Sequence, residues 1–132
     1  MMIDASAIVA ILNAEHEGPA LAATLGAAKA PFTSPIAVFE AVTALMRENT
    51  LSSDEANGVV RQFLEAASVK VVLLSDTMTT TALHAFESYG KGRGHPARLN
   101  MGDCFAYASA RAYRAPLLFK GDDFTQTDIE AA

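Results

Sequence analysis

The sequence of 132 residues contains a single cysteine, Cys104, and no tryptophan. One cysteine cannot form an intrachain disulfide, and there is no second thiol with the spacing of a zinc site. The three histidines, at positions 16, 84 and 95, show no spacing that would make them converge on one ion. We therefore expect neither a disulfide-stabilised fold nor a metal site built from thiolates or imidazoles, and Cys104 is expected in the core.

Long apolar segments are also missing. The apolar runs are well short of the ~20 residues that span a bilayer, and the N-terminal segment MMIDASAIVAIL lacks the basic leader and small-residue cleavage site of a signal peptide. These features favour a cytoplasmic protein without a membrane association. A hydrophobic content of 51% over this length is enough for one core. We expect a single domain over residues 1–132.

The chain lacks the basic excess that is typical of proteins that bind nucleic acid, since its net charge is -5. One group of five acids accounts for this imbalance, because the remaining ten acids are matched by ten lysines and arginines. The five acids fall at the ends of predicted elements or on an apolar helix surface: Asp4, Glu40, Asp103, Asp122 and Asp123. The acidic excess is thus confined to a candidate site, and a nucleic-acid substrate is not excluded.

Strand-like and helix-like segments alternate along the chain. The predicted strands are MMID, PFT, the β-branched run VKVVLL, which we expect to be buried, and PLLFKGDDF, which runs into a turn. Helix starts are predicted at Ser6, at Ser34 followed by Pro35, at Ser52 with Glu55 in a capping box, at Ser75 and at Asn100. Gly18 and Pro19 are expected to separate the first helix from a second one over ALAATLGAAKA.

This order of elements predicts an α/β fold with a mostly parallel sheet covered by helices on both faces. Ligands of such sheets bind beyond the carboxyl ends of the strands. Asp4 ends the first strand, Asp122 and Asp123 follow the last one, Asp103 lies in the first turn of a helix, and Glu40 has mostly apolar neighbours. The five acids could therefore form one acidic pocket.

Each acid also has a purely structural interpretation. Asp103 is at a position where the helix dipole favours negative charge, and the pair at 122 and 123 has an ordinary turn composition. Glu40 could lie on the surface. A purely structural role is least convincing for Asp4, because this acid directly ends a buried strand. The functional interpretation depends on the whole set.

An all-oxygen cluster without paired His or Cys suits a hard cation such as Mg²⁺ or Mn²⁺. Carboxylates packed together repel one another, which should raise at least one pKa in the metal-free site. Ser6, two residues after Asp4, could orient a ligating carboxylate or a water, or could simply cap a helix. Phosphates of a substrate could be held by a Gly-rich loop with Lys91, Arg93 and Arg98, and by Lys120, although such a loop could equally be only solvated.

Four stretches carry a family resemblance: MIDASAIVAIL, SPIAVFEAV, LNMGDCFAYASAR and PLLFKGDDFTQTDI. In order and spacing they resemble the successive motifs of the PIN-domain ribonucleases, and specifically the VapC toxins of bacterial type II toxin–antitoxin systems. Residues 50–90 resemble the family only in pattern. The resemblance implies a three-layer α/β/α sandwich that acts as a metal-dependent endoribonuclease. It also implies a VapB-like antitoxin and a homodimer.

Carried over residue by residue, the resemblance assigns Asp4, Glu40 and Asp103 to the metal site. At the fourth motif, relatives usually keep the acid at the second position of the pair, which favours Asp123 over Asp122 without excluding either.

Two other classes of protein remain open at this point. A phospho-receiver domain would use Asp4, Asp76 and Lys120, but Asp4 is followed by Ala5 where that family has a second acid, and Gly121 replaces its proline. It also leaves Glu40 and Asp103 without a role. A pure interaction domain would leave every one of these carboxylates unexplained.

Overall fold

A computed structural model describes residues 1–132, and four short strands alternate in it with six helices. The elements are β1 (Met2–Ile3), α1 (Ala5–Leu12), α2 (Gly18–Gly26), β2 (Phe32–Thr33), α3 (Pro35–Asn49), α4 (Ser53–Ala66), β3 (Lys70–Val71), α5 (Asp76–Tyr89), α6 (Met101–Ala112) and β4 (Leu117–Leu118). No helix is both long and apolar enough to span a bilayer.

The strands form one parallel sheet in the order β3-β2-β1-β4. Met2 of β1 pairs with Phe32 on one side and with Leu117 on the other, so β1 is a central strand. Packed helices complete the three-layer α/β/α sandwich that the alternation of elements predicted. A receiver-type domain has the order 2-1-3-4-5, in which the third strand pairs with the first. Here β3 pairs with β2, so the receiver alternative is wrong on topology.

The sheet is held at its centre by main-chain and side-chain hydrogen bonds. The buried hydroxyl of Thr33 donates to the carbonyl of Ile3 at 2.8 Å, and the amide of Asp4 donates to the carbonyl of Leu118 at 2.9 Å. Met2, Ile3 and Leu117 are fully buried within one continuous hydrophobic core. The three strands that lead toward the acidic residues are therefore fixed relative to one another.

The expected buried strand VKVVLL is only partly correct. Just Lys70 and Val71 form β3, Lys70 is exposed, and the strand lies at the edge of the sheet. Val69 and Val72 reach the core, whereas Leu73 is 84% exposed. A β-branched run fixes strand conformation but not the place of the strand in the sheet, and an edge strand buries fewer of its side chains.

Four of the predicted helix starts are confirmed. Ser34, Ser52, Ser75 and Asn100 each accept a hydrogen bond from the backbone three residues later, and both Ser52 and Asn100 belong to capping boxes. The prediction at Ser6 was wrong, because Asp4 caps α1 and accepts the amide of Ser6. Gly18 and Pro19 do not separate two helices but begin α2, where the missing N–H of proline costs nothing.

The chain ends beside the second edge of the sheet, which the sequence did not indicate. The amide of Leu117 donates to the carbonyl of Glu130 at 2.8 Å, and the amide of Ala132 donates back to Leu117 at 2.9 Å. The final residues thus cover the free side of β4. As a result, the segment between residues 118 and 130 begins and ends at the same strand.

Candidate active site

Asp4 lies at the carboxyl end of the central strand and is only 5% exposed. Its Oδ2 accepts the amide of Ser6 at 3.0 Å and the hydroxyl of Ser6 at 2.5 Å. The same hydroxyl accepts the amide of Lys120 at 3.0 Å. Ser6 therefore links the Asp4 carboxylate to the turn that follows β4, and Asp4 has the structural role of helix cap that the sequence analysis did not assign to it.

Asp103 is the third residue of α6 and is 8% exposed. It forms a reciprocal capping box with Asn100, since each residue's side chain accepts the other's backbone amide at 2.9 Å. This bond uses Oδ2 of Asp103 and holds the side chain at the N-terminus of the helix. The acid at the start of this buried helix thus caps it, and its Oδ1 remains available to another partner.

Glu40 comes from α3, whose first turn is set by the Ser34 cap and by Pro35. The side chain is partly buried and ends against Gly102, the second residue of α6. The carboxylate of Glu40 therefore lies beside the first turn of the helix that carries Asp103.

The two acids of the last turn have different environments. Both are exposed, but the charge of Asp123 is close enough to raise the pKa of Asp4 and of Asp103. The next residue, Phe124, is buried and packs against Phe119 with the ring centroids 5.0 Å apart. Asp122 exerts no such effect on the other acids, and its carbonyl accepts from Thr125. Asp123, next to a buried residue, is thus the member of the pair whose charge acts on the cluster.

Burial and mutual repulsion both oppose ionisation of this cluster. Burial is the larger cause, and it raises the pKa of Glu40 to about 7 and that of Asp103 to about 6. The negative charges of Asp4 and its neighbours add to the rise at both residues. The pKa of Asp4 is also raised by burial, although its bonds with Ser6 oppose the shift. The expected rise in pKa is present. It was predicted from repulsion between the carboxylates, but their burial contributes more to it.

The chemical type of the donor atoms fits a divalent cation. The donor set consists of carboxylate oxygens only, which are the ligands of Mg²⁺ and Mn²⁺, and a cation would relieve the unfavourable charge that raises these pKa values. As the side chains stand, no three His, Cys, Asp or Glu residues are close enough together to hold one ion. Coordination therefore requires side-chain rotation, which is open to Glu40 and Asp123 because neither carboxylate accepts a hydrogen bond from the protein.

The chain matches the PIN-domain family model over residues 1–130. A VapC ribonuclease of Rhizobium meliloti is 41% identical over 138 residues, which cover 96% of this chain and 97% of the relative. The chain belongs to the VapC ribonucleases of the PIN-domain family. Ribonuclease VapC42 of Mycobacterium tuberculosis is 36% identical over 132 residues, which cover all of this chain and 98% of the relative.

Two solved structures share the fold at low sequence identity. One is VapC20 of Mycobacterium tuberculosis, described as a sarcin-ricin loop cleaving toxin, with a TM-score of 0.77, 16% identity and coverage of 99% and 97% of the two chains. The other is VapBC-1 from nontypeable Haemophilus influenzae, with a TM-score of 0.74, 15% identity and coverage of 99% and 95%. At this identity the likeness concerns the VapC fold alone.

The four basic residues that were predicted to hold phosphates differ in their surroundings. Lys91, Arg93 and Arg98 are exposed and make no ion pair. The loop that carries them is closed by the Lys91 amide, which donates to Leu99 at 2.9 Å. Lys120 differs, because its ammonium forms ion pairs with Glu15 and Glu17. The predicted phosphate contact of Lys120 would therefore require these pairs to break.

Several side chains that shape the site were missed by sequence reasoning. Asn100 was predicted as a cap but not as the partner that holds Asp103, and Phe124 and Gly102 were not singled out. The signal for Gly102 was its place directly before the acid. His95 received no catalytic role, and its Nδ1 accepts the amide of Ala97 at 3.1 Å within the basic loop.

The raised pKa of Glu40 predicts how stability depends on pH without divalent metal. The pKa is about 7 in the folded state and 4.5 ordinarily, so the folded state binds this proton more tightly. Its contribution to stability is complete below the unfolded value and is lost as the pH rises through about 7. Glu40→Gln should therefore stabilise the metal-free protein by about 1–2 kcal/mol near pH 8, allowing for partial exposure, and not near pH 4.

Thermal unfolding in a chelator at the two pH values measures this difference. Glu65→Gln on the exposed side of α4 is the matched control and should change neither melting temperature. An equal effect of Glu40→Gln at both pH values would contradict the electrostatic explanation.

Proposed function

We propose that this protein is a metal-dependent endoribonuclease that acts as the toxin of a type II toxin–antitoxin system. Asp4, Glu40, Asp103 and Asp123 are proposed as the acidic metal site, with Asp122 as the less favoured fourth acid. The observation that carries the proposal is that four chain segments each bring a carboxylate to one end of the sheet. There the charge of Asp4 contributes to the raised pKa of Glu40 and Asp103, and that of Asp123 contributes to the raised pKa of Asp4 and Asp103. Family membership supports the reaction class.

The proposed site uses its own residues mainly to hold carboxylates in place. Mg²⁺ or Mn²⁺ would lower the pKa of a bound water and stabilise charge on the leaving 3′ oxygen. Asp4 and Asp103 are the fixed donors, because each is held through Oδ2 by a hydrogen bond. Ser6 keeps Asp4 oriented, and Glu40 and Asp123 are the adjustable donors.

The RNA backbone is proposed to contact Lys91, Arg93 and Arg98. These three cations are exposed and unpaired, and their loop leads through Leu99 and Asn100 directly into the helix that carries Asp103. Basic side chains position a nucleic acid through its phosphates without reading its sequence. Lys120 is a secondary contact at most, because Glu15 and Glu17 neutralise it.

A cognate VapB-like antitoxin and a homodimer complete the proposal. Support for the antitoxin comes from family membership and from two similar folds, whose structures are described as a toxin–antitoxin complex from Klebsiella pneumoniae and as VapBC-1. The homodimer rests on the family resemblance.

The first prediction for this function concerns the two fixed acids. Asp4→Asn or Asp103→Asn should reduce metal-dependent cleavage of RNA by at least about 100-fold, because each removes a charged donor while an amide oxygen can keep the capping bond. The measurement is cleavage of a mixed RNA substrate with Mg²⁺ or Mn²⁺ and with a chelator. Asp76→Asn is the matched control, since this exposed acid at the start of α5 lies outside the cluster. An Asp4→Asn protein with wild-type activity would refute the site.

The second prediction ranks the acids of the last turn. Asp123→Asn should reduce cleavage more than Asp122→Asn, because only Asp123 acts electrostatically on Asp4 and Asp103. The two neighbouring substitutions remove the same charge from the same turn, so each serves as the control of the other. Equal losses or the reverse order would contradict the ranking but not the function.

A third prediction concerns inhibition by the antitoxin. A pocket of clustered carboxylates attracts a guanidinium, which can bind a carboxylate through two hydrogen bonds and replace the charge of the cation. Inhibition should depend on an Arg or Lys near the C-terminus of the antitoxin, and replacing it with Ala should restore cleavage without dissociating the complex. High Mg²⁺ should compete with the intact residue.

Cleavage by the purified complex, with the basic residue intact or replaced, is measured across a Mg²⁺ titration. Silence of the Ala variant at every metal concentration would show that inhibition does not work by charge replacement.

A further inference from the structure

Gly102 is the buried second residue of α6, between the exposed Met101 and the site acid Asp103. A Cβ atom added at this position would overlap the carboxyl carbon and both carboxylate oxygens of Glu40. The space that a side chain would occupy at position 102 is therefore filled by the carboxyl group of Glu40, which belongs to α3.

Backbone conformation does not account for this glycine. Gly92, Gly94 and Gly121 have positive φ angles, which favour glycine over other residues, but Gly102 lies in a regular helix. Glycine is also a poor choice in a helix, because it has lower intrinsic helix propensity than alanine. Gly58 in α4 has the same disadvantage, but a Cβ there would meet nothing within 4 Å. At Gly102 the nearest obstacle is Glu40.

We propose that Gly102 is a positioning residue whose missing side chain lets the Glu40 carboxylate lie beside Asp103. The inference rests on the proposed function, in which Glu40 belongs to the metal site. A methyl group at position 102 would push the carboxylate of Glu40 away from the first turn of α6. The backbone would not need to move, because the displaced atoms are the end of a flexible and partly exposed side chain.

The substitution Gly102→Ala should therefore preserve the fold and weaken the site. We expect Mn²⁺ affinity of the purified protein to fall by about 10-fold or more, because the added methyl group takes the space that the Glu40 carboxylate needs in order to turn toward the other donors. RNA cleavage should fall with it. Binding of Mn²⁺ alone, measured by calorimetry or by loss of the free-ion electron paramagnetic resonance signal, gives a result that does not depend on activity.

A double-substitution cycle tests whether Gly102 acts through Glu40. In a Glu40→Ala background the carboxylate is absent, so Gly102→Ala should cause no further loss of Mn²⁺ affinity. Gly58→Ala is the matched control, since it makes the same change in a helix where the Cβ has open space, and it should leave Mn²⁺ binding and cleavage unchanged. Melting temperatures of all variants in a chelator report on the fold.

The possible outcomes separate this inference from the proposed function. Wild-type Mn²⁺ affinity in Gly102→Ala, or an equal loss with and without the Glu40 side chain, would overturn the positioning role. If Gly102→Ala fails to fold, refolding in the Glu40→Ala background supports the contact, and failure in both backgrounds refutes it. Asp4→Asn is the separate test of function, because metal-dependent cleavage that survives in that variant refutes the proposed metal site whatever the Mn²⁺ affinity of Gly102→Ala.

Discussion

The unfavourable burial of several like charges at the carboxyl end of β1 is the constraint on which this structure depends. Asp4 follows the central strand into the interior, and two helices bring Asp103 and Glu40 near enough for its charge to raise their pKa. Their raised pKa values reflect mainly the cost of burying these carboxylates and, to a smaller extent, the repulsion between them. Such an arrangement persists only where the surrounding fold supplies other stabilisation, here the buried parallel strands and the apolar core beneath them.

The fold offsets part of this cost by giving the same carboxylates structural work. Asp4 caps α1, and Asp103 shares a capping box with Asn100, so both acids satisfy backbone amides that would otherwise lack partners. Through Ser6, the cap of α1 is also connected to the amide of Lys120. In the proposed site, these side chains would therefore have a structural and a functional role at once. Their hydrogen bonds stabilise helix starts and, at the same time, hold the carboxylate in a fixed orientation at the site.

The sequence predicted the features that depend on interactions between residues close together in the chain. The starts at Ser34, Ser52, Ser75 and Asn100 depend on bonds that span three residues, and the alternation of elements indicated the parallel sheet. The features that escaped depend on partners distant in sequence. No local pattern connects the segments concerned. The examples are the edge position of β3, the pairing of residues 130–132 with β4, the ion pair of Lys120 with Glu15 and the contact between Glu40 and Gly102. The cap of α1 was misassigned by two residues because both Asp4 and Ser6 are suitable cap residues.

The distribution of positive charge follows from the same constraint. A basic side chain beside the buried carboxylates would neutralise them permanently and would occupy the place proposed for a metal ion. Lys120 is the basic residue nearest in sequence to Asp123, but it forms ion pairs with Glu15 and Glu17 instead. The unpaired cations Lys91, Arg93 and Arg98 are kept on a separate loop, whose end is the cap of α6. The acidic centre and the basic loop are thus attached to one helix start but remain electrostatically distinct. In the proposed function, this separation would let a net acidic protein present positive charge to a phosphate backbone without neutralising the carboxylates that would hold the ion.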